Sequence, residues 1–317
     1  MLLTIRKHTL LQQRFPEIVA TPNLVKQKAA TLIYGRTVTS VQLDDISAKA
    51  DETLQVVAAW KVGGYDAVLV TNALQDQLYQ AVIEHSLDAV ATADLPDLED
   101  PGLVLMDMDS TAIEIECIDE IAKLAGVGEQ VAKVTERAMQ GELDFEASLR
   151  QRVGTLEGAD EAILTQVRDH LPMMPELREL VETLQHYGWK VAIASGGFTY
   201  FSDYLKDELG LVHAQANTLE IVDGKLTGKV LGDVVDAQAK ADVLVELAEH
   251  YDIPYHNTVA VGDGANDLVM MAAAGLGIAY HAKPKVEAKA DAVIRFADLG
   301  GVMCILSASL LPQGLNW

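Results

Sequence analysis

The fold of this chain is decided by the stretch LVLMDMDST, residues 103–111. Its four leading apolar residues predict a strand buried on both faces, and Asp107 and Asp109 follow directly at the carboxyl end of that strand. In an open α/β sheet, ligands bind beyond the carboxyl ends of the strands. An acidic pair at this place is therefore expected to hold a cation, to take part in chemistry, or both.

Two further stretches repeat the pattern of an apolar strand that runs into polar residues. They are VAIASGG, residues 191–197, and VAVGDGAND, residues 259–267. Short apolar runs at 276–279 and 292–294 predict additional strands, and helical patterns such as that of residues 237–250 lie between them. Strands that alternate with helices predict a parallel sheet with helices on both faces, so the fold class is α/β.

A long helical insertion is predicted between the first two strands of this sheet. Residues 115–180 carry helical patterns and little strand signal. An insertion after the first strand is expected to lie over the strand ends as a cap, and such caps exclude water and select substrates. We therefore predict a Rossmann-like domain over residues 97–317, with a helical cap at about residues 115–180.

The first 96 residues are predicted to form a separate, small α+β domain. Strand and helix patterns alternate in the order βαββαβ, which is typical of a ferredoxin-like sandwich. The strand patterns lie at 31–35, 54–60, 67–71 and 89–91. Asn72 is expected to cap the helix that precedes the last of these strands. Two prolines and a cluster of acids at 95–101 predict the linker to the larger domain.

The composition excludes several classes of function. The net charge of the 317-residue chain is −23, which argues against nucleic acid as a partner and against binding to an anionic membrane surface. Half of the residues are hydrophobic, so an extensive core is expected. Cys117 and Cys304 lie far apart in no metal-ligand spacing, and no stretch is typical of a transmembrane helix. We expect a soluble, cytoplasmic protein.

The two aspartates after the first strand admit several roles. Asp107 can act as a nucleophile towards phosphorus, as a metal ligand or as a helix cap. Asp109 can protonate a departing alkoxide and later deprotonate water. In the plainer interpretation, an Asx turn or a helix cap, neither carboxylate reacts, and an isolated Asp-x-Asp motif favours that interpretation. The polar residues at the other strand ends favour chemistry.

The acids after the strand at 259–261 predict a metal site. Mg²⁺ prefers oxygen ligands and usually takes one or two carboxylates together with substrate phosphate. Asp107 and Asp263 can provide those carboxylates, and Asp109 can add its carbonyl. Asp267 is either a further ligand or orients water next to the ion.

Phosphate binding is predicted for two other segments. Ser195 and Gly196 offer a hydroxyl and an unobstructed backbone N–H at the start of a helix, where phosphate oxygens bind readily. Lys240 lies near the start of a helical stretch and can neutralise a phosphoryl group. From its spacing alone, however, Lys240 is predicted to be a solvated surface residue.

In combination these motifs resemble the phosphoserine phosphatase family of the haloacid dehalogenase superfamily. The resemblance covers about residues 101–306 and is carried by Glu116, Lys240 and five motifs: DMDST (107–111), ELDFEASLRQR (142–152), SGGF (195–198), GDGAND (262–267) and HAKPK (281–285). It implies a Mg²⁺-dependent hydrolase of phosphoserine that works through an aspartyl-phosphate and binds one ion per site. Met108 stands where the family often has Phe. The first 96 residues resemble the ACT-like segment of some bacterial members.

The resemblance also implies which residues carry the chemistry. Asp107 would be the phosphorylated nucleophile and Asp109 the acid and base. The Mg²⁺ ligands would be Asp107, Asp263 and the carbonyl of Asp109. The phosphoryl group would be bound by Ser195, Gly196 and Lys240, with Asn266 or Asp267 completing the site.

The amino-acid end of the substrate is assigned by the same resemblance. Glu116 would face the ammonium group and Arg152 the carboxylate, with Met139 and Phe145 as apolar walls of the cap. A guanidinium matches a carboxylate in a planar, bidentate way that an ammonium cannot. Without the family pattern, Glu116 and Arg152 are typical of an ion pair on a helix surface.

Other functions remain open at this point. One is a phosphatase for a different small phosphomonoester, such as phosphoethanolamine; another is a phosphotransferase that delivers the phosphoryl group to an alcohol. A third is an amino-acid sensor with a vestigial catalytic domain, which the complete set of acids disfavours. The expected partner is a small molecule, and a homodimer is consistent with the sequence.

Overall fold

The computed structural model describes residues 1–8, 11, 29–140 and 142–313. The strands are β1 (Ile5–Lys7), β2 (Thr31–Gly35), β3 (Val56–Val62), β4 (Tyr65–Val70), β5 (Asp88–Ala91), β6 (Leu103–Met106), β7 (Lys190–Phe198), β8 (His213–Val222), β9 (Lys225–Leu231), β10 (Thr258–Gly262), β11 (Leu276–Tyr280) and β12 (Ala292–Ile294). The α-helices are α1 (Ser40–Lys49), α2 (Asp76–Ile83), α3 (Cys117–Leu124), α4 (Gly128–Met139), α5 (Phe145–Gly154), α6 (Ala162–Arg168), α7 (Leu177–His186), α8 (Thr199–Leu209), α9 (Ala237–His250), α10 (Leu268–Ala273), α11 (Pro284–Glu287) and α12 (Gly300–Ser307). Short 3-10 turns occupy Tyr255–Asn257, Ala265–Asp267 and Ala308–Gln313.

Strands β1 to β5 form an antiparallel sheet in the order β1-β3-β4-β2-β5. The predicted βαββαβ order is confirmed, and β1 adds an edge strand that the sequence patterns did not predict. The capping role of Asn72 is wrong, because α2 begins at Asp76 with Gln75 at its N-cap. Asn72 instead accepts a hydrogen bond from the backbone N–H of Gln55 (3.1 Å). The domain boundary at residue 96 stays a prediction.

The second sheet has the order β12-β11-β10-β6-β7-β8-β9 and is parallel from β12 to β8. Strand β6 lies in its centre, where Met106 pairs with Val261 on one side and Ile193 on the other. Residues that follow these three positions must therefore meet at one edge of the sheet. The predicted α/β fold is confirmed, and the apolar composition of β6 follows from its burial on both faces.

Helices α3 to α6 are inserted between β6 and β7, within the range predicted for the cap. Two backbone segments connect them to the sheet and run side by side. Glu114 N–H donates to Pro172 O and Met174 N–H donates to Ala112 O, each at 2.9 Å. The insertion is thus attached through one short two-stranded contact. None of the described helices is long and apolar enough to cross a membrane.

A hairpin formed by β8 and β9 extends from the sheet and contacts the insertion. The sequence patterns did not predict it, because several of its apolar residues are exposed and its polar residues interrupt any apolar run. Gly158 N–H donates to Leu226 O (2.8 Å), and Leu226 N–H donates to Ala159 O (2.9 Å). Lys225 also pairs with Asp160 at 3.1 Å. The insertion is therefore held on two sides, at its attachment and at this hairpin.

Helix α12 joins the two sheets into one core. All eight of its residues are buried, and it packs between the antiparallel sheet and α7. Trp60 Nε1 on β3 donates to the Ser307 hydroxyl at 2.8 Å. The carboxylate of Asp88 on β5 accepts hydrogen bonds from the N–H groups of Arg295 (2.9 Å) and Ala297 (2.8 Å). The antiparallel sheet is thus fixed against the parallel-sheet domain.

Candidate active site

The carboxyl edge of the parallel sheet brings together the residues predicted from its three central strands. Asp107 follows β6, Ser195 lies at the irregular end of β7, and Asp263 follows β10. They line one cavity of about 190 Å³. The remaining lining residues are Asp109, Glu116, Ile118, Phe145, Leu149, Arg152, Gly196, Gly197, Phe198 and Asn266. The cavity therefore combines the sheet edge with side chains of the helical insertion.

Asp107 is held in a fixed orientation at the base of the cavity. It is 5% exposed, and its backbone N–H donates to Val261 O (3.0 Å), which continues the β6–β10 pairing by one residue. One carboxylate oxygen, Oδ1, accepts a hydrogen bond from Met108 N–H (2.7 Å) and lies 2.9 Å from Lys240 Nζ. Both contacts use Oδ1, so the other carboxylate oxygen, Oδ2, is available to a ligand in the cavity.

Lys240 is buried beneath the site, so the surface location predicted from its spacing is wrong. It is 1% exposed, and its ammonium group also donates to Asp267 Oδ1 at 2.7 Å. Burial alone would lower the pKa of Lys240, but the carboxylates of Asp107 and Asp267 outweigh it and raise that pKa. The side chain is therefore a permanent positive charge directly behind Asp107.

Three carboxylates lie close together at this end of the sheet. Asp107, Asp263 and Asp267 each place one oxygen within 4.8 Å of the others. Burial, followed by the charges of Asp267 and Asp107, raises the pKa of Asp263 to about 7. Such repulsion is what a bound cation relieves, and carboxylate oxygens are the ligands that Mg²⁺ prefers. The arrangement can hold a divalent metal ion.

Both carboxylate oxygens of Asp267 are already occupied within the protein. Its Oδ2 accepts the backbone N–H of Gly264 at 2.9 Å, while Oδ1 binds Lys240. A Cβ on Gly262 would lie only 2.4 Å from Asp267 Cγ, so glycine is required at that position. The GDGAND turn thus wraps closely around Asp267, which supports Lys240 and the turn that carries Asp263.

Asp109 lies beside the segment Ser195-Gly196-Gly197 rather than within the acidic cluster. Its Oδ1 accepts the N–H of Cys117 at 3.4 Å, and a Cβ on Gly197 would lie 2.8 Å from its Oδ2. Burial, followed by the charges of Glu116 and Asp107, raises the pKa of Asp109 well above its usual range. The protonated carboxyl, which can act as a general acid, is thereby favoured.

The segment Ser195-Gly196-Gly197 forms the floor of the cavity next to Asp109. Ser195 is 1% exposed, and its Oγ accepts the N–H of Gly197 at 2.9 Å. A Cβ on Gly196 would lie 2.6 Å from the ring of Phe145, so glycine lets the cap approach this loop closely. A hydroxyl and backbone N–H groups without side-chain obstruction can bind phosphate oxygens here.

A buried residue that the sequence patterns did not identify supports this loop. Asn217 on β8 is 1% exposed, and its Nδ2 donates to Gly196 O at 2.8 Å. Its Oδ1 accepts the N–H of Val235 at 2.9 Å. In the sequence, Asn217 is a single amide side chain within the run HAQANTLEIV. Its partners could not be predicted, because the hairpin itself was not predicted.

Opposite charges line the cap side of the cavity. Glu116 at the N-cap of α3 accepts a hydrogen bond from Ser110 Oγ at 2.9 Å. Arg152 projects from α5, and its Nε is buried with no hydrogen-bond partner among the described residues. A buried guanidinium N–H without a partner is costly, so a ligand that supplies an acceptor fits here. A carboxylate matches that geometry best.

Other predicted residues lie elsewhere or cannot be placed. The side chain of Met139 falls outside what the structure describes, whereas Phe145 lines the cavity. Two methionines that were not assigned to the site from the sequence, Met173 and Met174, pack against the hydrophobic core at the attachment of the insertion. His281 lies with its Nε2 2.8 Å from Ala297 O, near the antiparallel sheet.

Comparisons with known proteins agree with this geometry. A family model described as haloacid dehalogenase-like hydrolase matches residues 101–275, and a model described as a domain of unknown function (DUF5609) matches residues 27–91. Phosphoserine phosphatase of Vibrio cholerae serotype O1 is 61% identical over 316 residues, which are 99% of this chain and 96% of that protein. The ACT-like character of the first 96 residues stays a prediction.

Two solved structures give the same picture. The crystal structure of a probable phosphoserine phosphatase from Vibrio cholerae, in unliganded form, has a TM-score of 0.92 at 61% identity and covers 100% of this chain and 98% of that chain. A phospho-aspartyl intermediate analogue of phosphoserine phosphatase has a TM-score of 0.61 at 43% identity. It covers 64% of this chain and 98% of that one.

Proposed function

Since this chain belongs to the haloacid dehalogenase-like hydrolases, we propose that it acts as a phosphoserine phosphatase and hydrolyses O-phospho-L-serine to L-serine and phosphate. The observation that carries this function is the buried Nε of Arg152, which has no partner among the residues that the structure describes and whose side chain lines the same cavity as Asp107 and Glu116. A ligand with a carboxylate and an ammonium group would pair with Arg152 and Glu116, and its phosphate group would then lie next to Asp107. Curated and solved relatives named as phosphoserine phosphatases support the same assignment.

Asp107 is the nucleophile of the first step. Lys240 and Met108 N–H hold its Oδ1, which keeps the carboxylate from rotating. The bond from Oδ2 to phosphorus forms while the bond from phosphorus to the serine oxygen breaks, which leaves an aspartyl-phosphate. Because the carboxylate is already oriented, little conformational freedom is lost in reaching the transition state.

Asp109 moves the proton in both steps. Its raised pKa favours the protonated carboxyl, which donates its proton to the departing serine oxygen. The resulting carboxylate then removes a proton from the water that attacks the phosphorus of the aspartyl-phosphate. Phosphate is released, and both Asp107 and Asp109 return to their starting states.

The phosphoryl oxygens are bound by the loop and charges around Asp107. Ser195 Oγ accepts a hydrogen bond from Gly197, which leaves its own hydroxyl hydrogen to donate to phosphate. Gly196 contributes backbone N–H, Lys240 supplies positive charge from behind Asp107, and Asn266 lines the opposite wall. Donors aimed at oxygens that gain charge in the transition state accelerate the reaction.

Metal binding at the acidic cluster completes the proposed site. Asp107 and Asp263 would provide carboxylate oxygens and Asp109 its carbonyl to one Mg²⁺, whereas both oxygens of Asp267 are engaged by Lys240 and Gly264. When bound, the ion neutralises charge on the phosphoryl oxygens. Mg²⁺ is proposed as this ion from its preference for carboxylates together with phosphate.

The amino-acid end of the substrate is recognised by the cap. Glu116 faces the ammonium group, Arg152 the carboxylate, and Phe145 the short carbon chain. A phosphate ester that lacks either charged group leaves one of these side chains unpaired, and such sites discriminate strongly. A cytoplasmic location and a homodimer stay predictions.

Phosphate release from phosphoserine, phosphoethanolamine and phospholactate, measured with Mg²⁺ and with chelator, tests this function. We expect phosphoserine to be hydrolysed with a much higher kcat/KM than the other two esters. We expect this turnover to be lost with chelator. Arg152→Ala should lower kcat/KM for phosphoserine by about 100-fold but lower that for phosphoethanolamine little. Arg150→Ala is the matched control, because Arg150 pairs with Glu146 on the exposed face of the same helix.

The alternatives give different results. Equal turnover of phosphoserine and phosphoethanolamine by the wild type would keep the mechanism and discard the substrate. Exchange of labelled serine into phosphoserine that exceeds net hydrolysis would indicate a phosphotransferase. No metal-dependent turnover of any of the three esters would overturn the proposed function.

A further inference from the structure

We propose that Asn217 is a positioning residue that orients the hydroxyl of Ser195 for phosphate, an inference that rests on the proposed phosphate site. Asn217 is not among the residues that line the cavity. It lies on β8, is 1% exposed, and uses both ends of its amide in hydrogen bonds to backbone groups. One of these groups belongs to the phosphate loop.

The need for such a residue follows from the pairing of β7 with β8. The register of this pair shifts between Ala194 and Phe198, the stretch that contains Ser195 to Gly197. The carbonyl of Gly196 consequently loses the ladder partner that a regular strand would give it. The backbone of Asn217 pairs with Phe198 in the ladder. Its side chain replaces the missing partner, because Nδ2 donates to the Gly196 carbonyl oxygen at 2.8 Å.

The link to Ser195 is carried by one peptide plane. The carbonyl of Gly196 and the N–H of Gly197 belong to the same trans peptide and point in opposite directions. When Asn217 holds the carbonyl, the N–H is turned towards Ser195 Oγ, to which it donates at 2.9 Å. Ser195 Oγ then serves as an acceptor on one side, and its hydroxyl hydrogen is free to donate to phosphate.

The other end of the amide links this loop to the helix of the buried lysine. Asn217 Oδ1 accepts the N–H of Val235, the residue before Asp236. Asp236 is the N-cap of α9 and accepts the N–H of Ala239 at 2.9 Å. Lys240 follows on the first turn of that helix. One side chain thus fixes the spacing between the loop and the helix that contact the phosphoryl group.

Asparagine is specific for this task. Its side-chain amide carries both a donor and an acceptor. The carbonyl of Gly196 needs the donor, and the N–H of Val235 needs the acceptor. Aspartate has the same shape but no donor, so its oxygen would face the carbonyl of Gly196. Alanine would leave both backbone groups buried and unpaired.

Asn217→Ala and Asn217→Asp test the proposal through the affinity for inorganic phosphate, titrated calorimetrically in the presence of Mg²⁺. We expect both variants to weaken phosphate binding and to lower kcat by about tenfold or more, as for loss of one transition-state donor. The ratio of kcat/KM for phosphoserine to that for phosphoethanolamine should stay unchanged, because the amino-acid end is untouched.

A matched control is Asn257→Ala, at the opposite edge of the same sheet. Asn257 is fully buried and its amide bonds Asp97 N–H (2.7 Å) and Asp97 O (2.9 Å), so its loss should lower the melting temperature without changing phosphate affinity. The double variant Asn217→Ala/Ser195→Ala should lose less kcat than the two single losses combined, since Asn217 acts in part through Ser195.

Several results would overturn the inference. One is phosphate affinity and kcat within twofold of wild type in a folded Asn217→Asp protein; another is full additivity of the Asn217 and Ser195 losses. No phosphate binding by the wild type would also do so. Failure to hydrolyse phosphoserine, by contrast, would remove the proposed substrate and leave the phosphate titrations decisive.

Discussion

Gly228 on the hairpin faces Gly154 at the end of α5 so closely that an added side chain would force the neighbouring atoms to shift. A Cβ added to Gly228 would lie 3.2 Å from the carbonyl oxygen of Gly154 and 3.3 Å from its Cα. Gly228 also has a φ of +77°, which disfavours other residues. Through this contact, helix α5 of the cap packs directly against the hairpin.

Gly228→Ala is expected to weaken the contact between the cap and the hairpin. It combines backbone strain of about 1 kcal/mol with a steric clash against the cap, so KM for phosphoserine should rise severalfold. Gly224→Ala is the matched control, because Gly224 has a φ of +75° in the same hairpin and no neighbour within 4 Å of an added Cβ. Steady-state kinetics and thermal melts should separate the two. An equal rise in KM in the Gly228→Ala and Gly224→Ala variants would contradict a role of this contact in holding the cap.

Lys240→Met is expected to abolish most activity. The substitution keeps the length of the side chain but removes the positive charge from behind Asp107, so kcat should fall by on the order of 10²–10³. Initial rates at saturating phosphoserine measure this. Lys283→Met, on the exposed start of α11, should remain within about twofold of wild type as a surface substitution. A variant at position 240 that keeps a tenth of wild-type kcat would be inconsistent with the assignment.

Asp263→Asn is expected to stabilise the protein in the absence of metal. It removes one of three crowded carboxylates, so the metal-free variant should melt at a higher temperature than the metal-free wild type. Mg²⁺ should raise the melting temperature of the wild type but not of the variant, because a ligand stabilises only the state that binds it. Calorimetry with and without chelator provides the measurement. An equal Mg²⁺-dependent shift in both proteins would place the ion elsewhere.

Glu176→Ala is expected to destabilise the protein by about 3 kcal/mol, since it leaves the buried Tyr65 O–H and Gly300 N–H without their acceptor. The Glu176 carboxylate lies at the base of the cap and accepts from Tyr65 OH (2.8 Å) and Gly300 N–H (3.1 Å), while Arg36 pairs with it at 2.8 Å. Urea unfolding measures the loss. Glu182→Ala, which breaks an exposed pair with the N-terminus, should cost less than about 1 kcal/mol. Similar losses in both variants would argue against the network.

The sequence predicted the parts of the site that follow apolar strands. Asp107, Ser195 and Asp263 could be identified because the carboxyl ends of buried parallel strands are the places where an α/β sheet binds its ligands. Lys240 could not be placed in the same way. Its burial depends on Asp107 and Asp267, which are distant in sequence, and a helical pattern alone does not tell a buried lysine from an exposed one.

Three features were beyond sequence patterns for a related reason. The hairpin of β8 and β9 contacts the insertion through backbone bonds with Gly158 and Ala159, which leave no trace in hydrophobic periodicity. Asn217 gains its role from the break in the β7–β8 register, a property of two strands together. The order β1-β3-β4-β2-β5 likewise places Ile5–Lys7 at an edge that only the three-dimensional pairing specifies.

The complete burial of α12 has a consequence for how the chain is made on the ribosome. The sheet of β1 to β5 is synthesised before the helix that covers its inner face, Gly300–Ser307. At bacterial and eukaryotic elongation rates of about 5–20 residues per second, roughly two hundred intervening residues leave Trp60 and its apolar neighbours uncovered for some 10–40 s. During that interval the nascent sheet must depend on a chaperone or on its own solubility, so slow translation should favour aggregation of this chain.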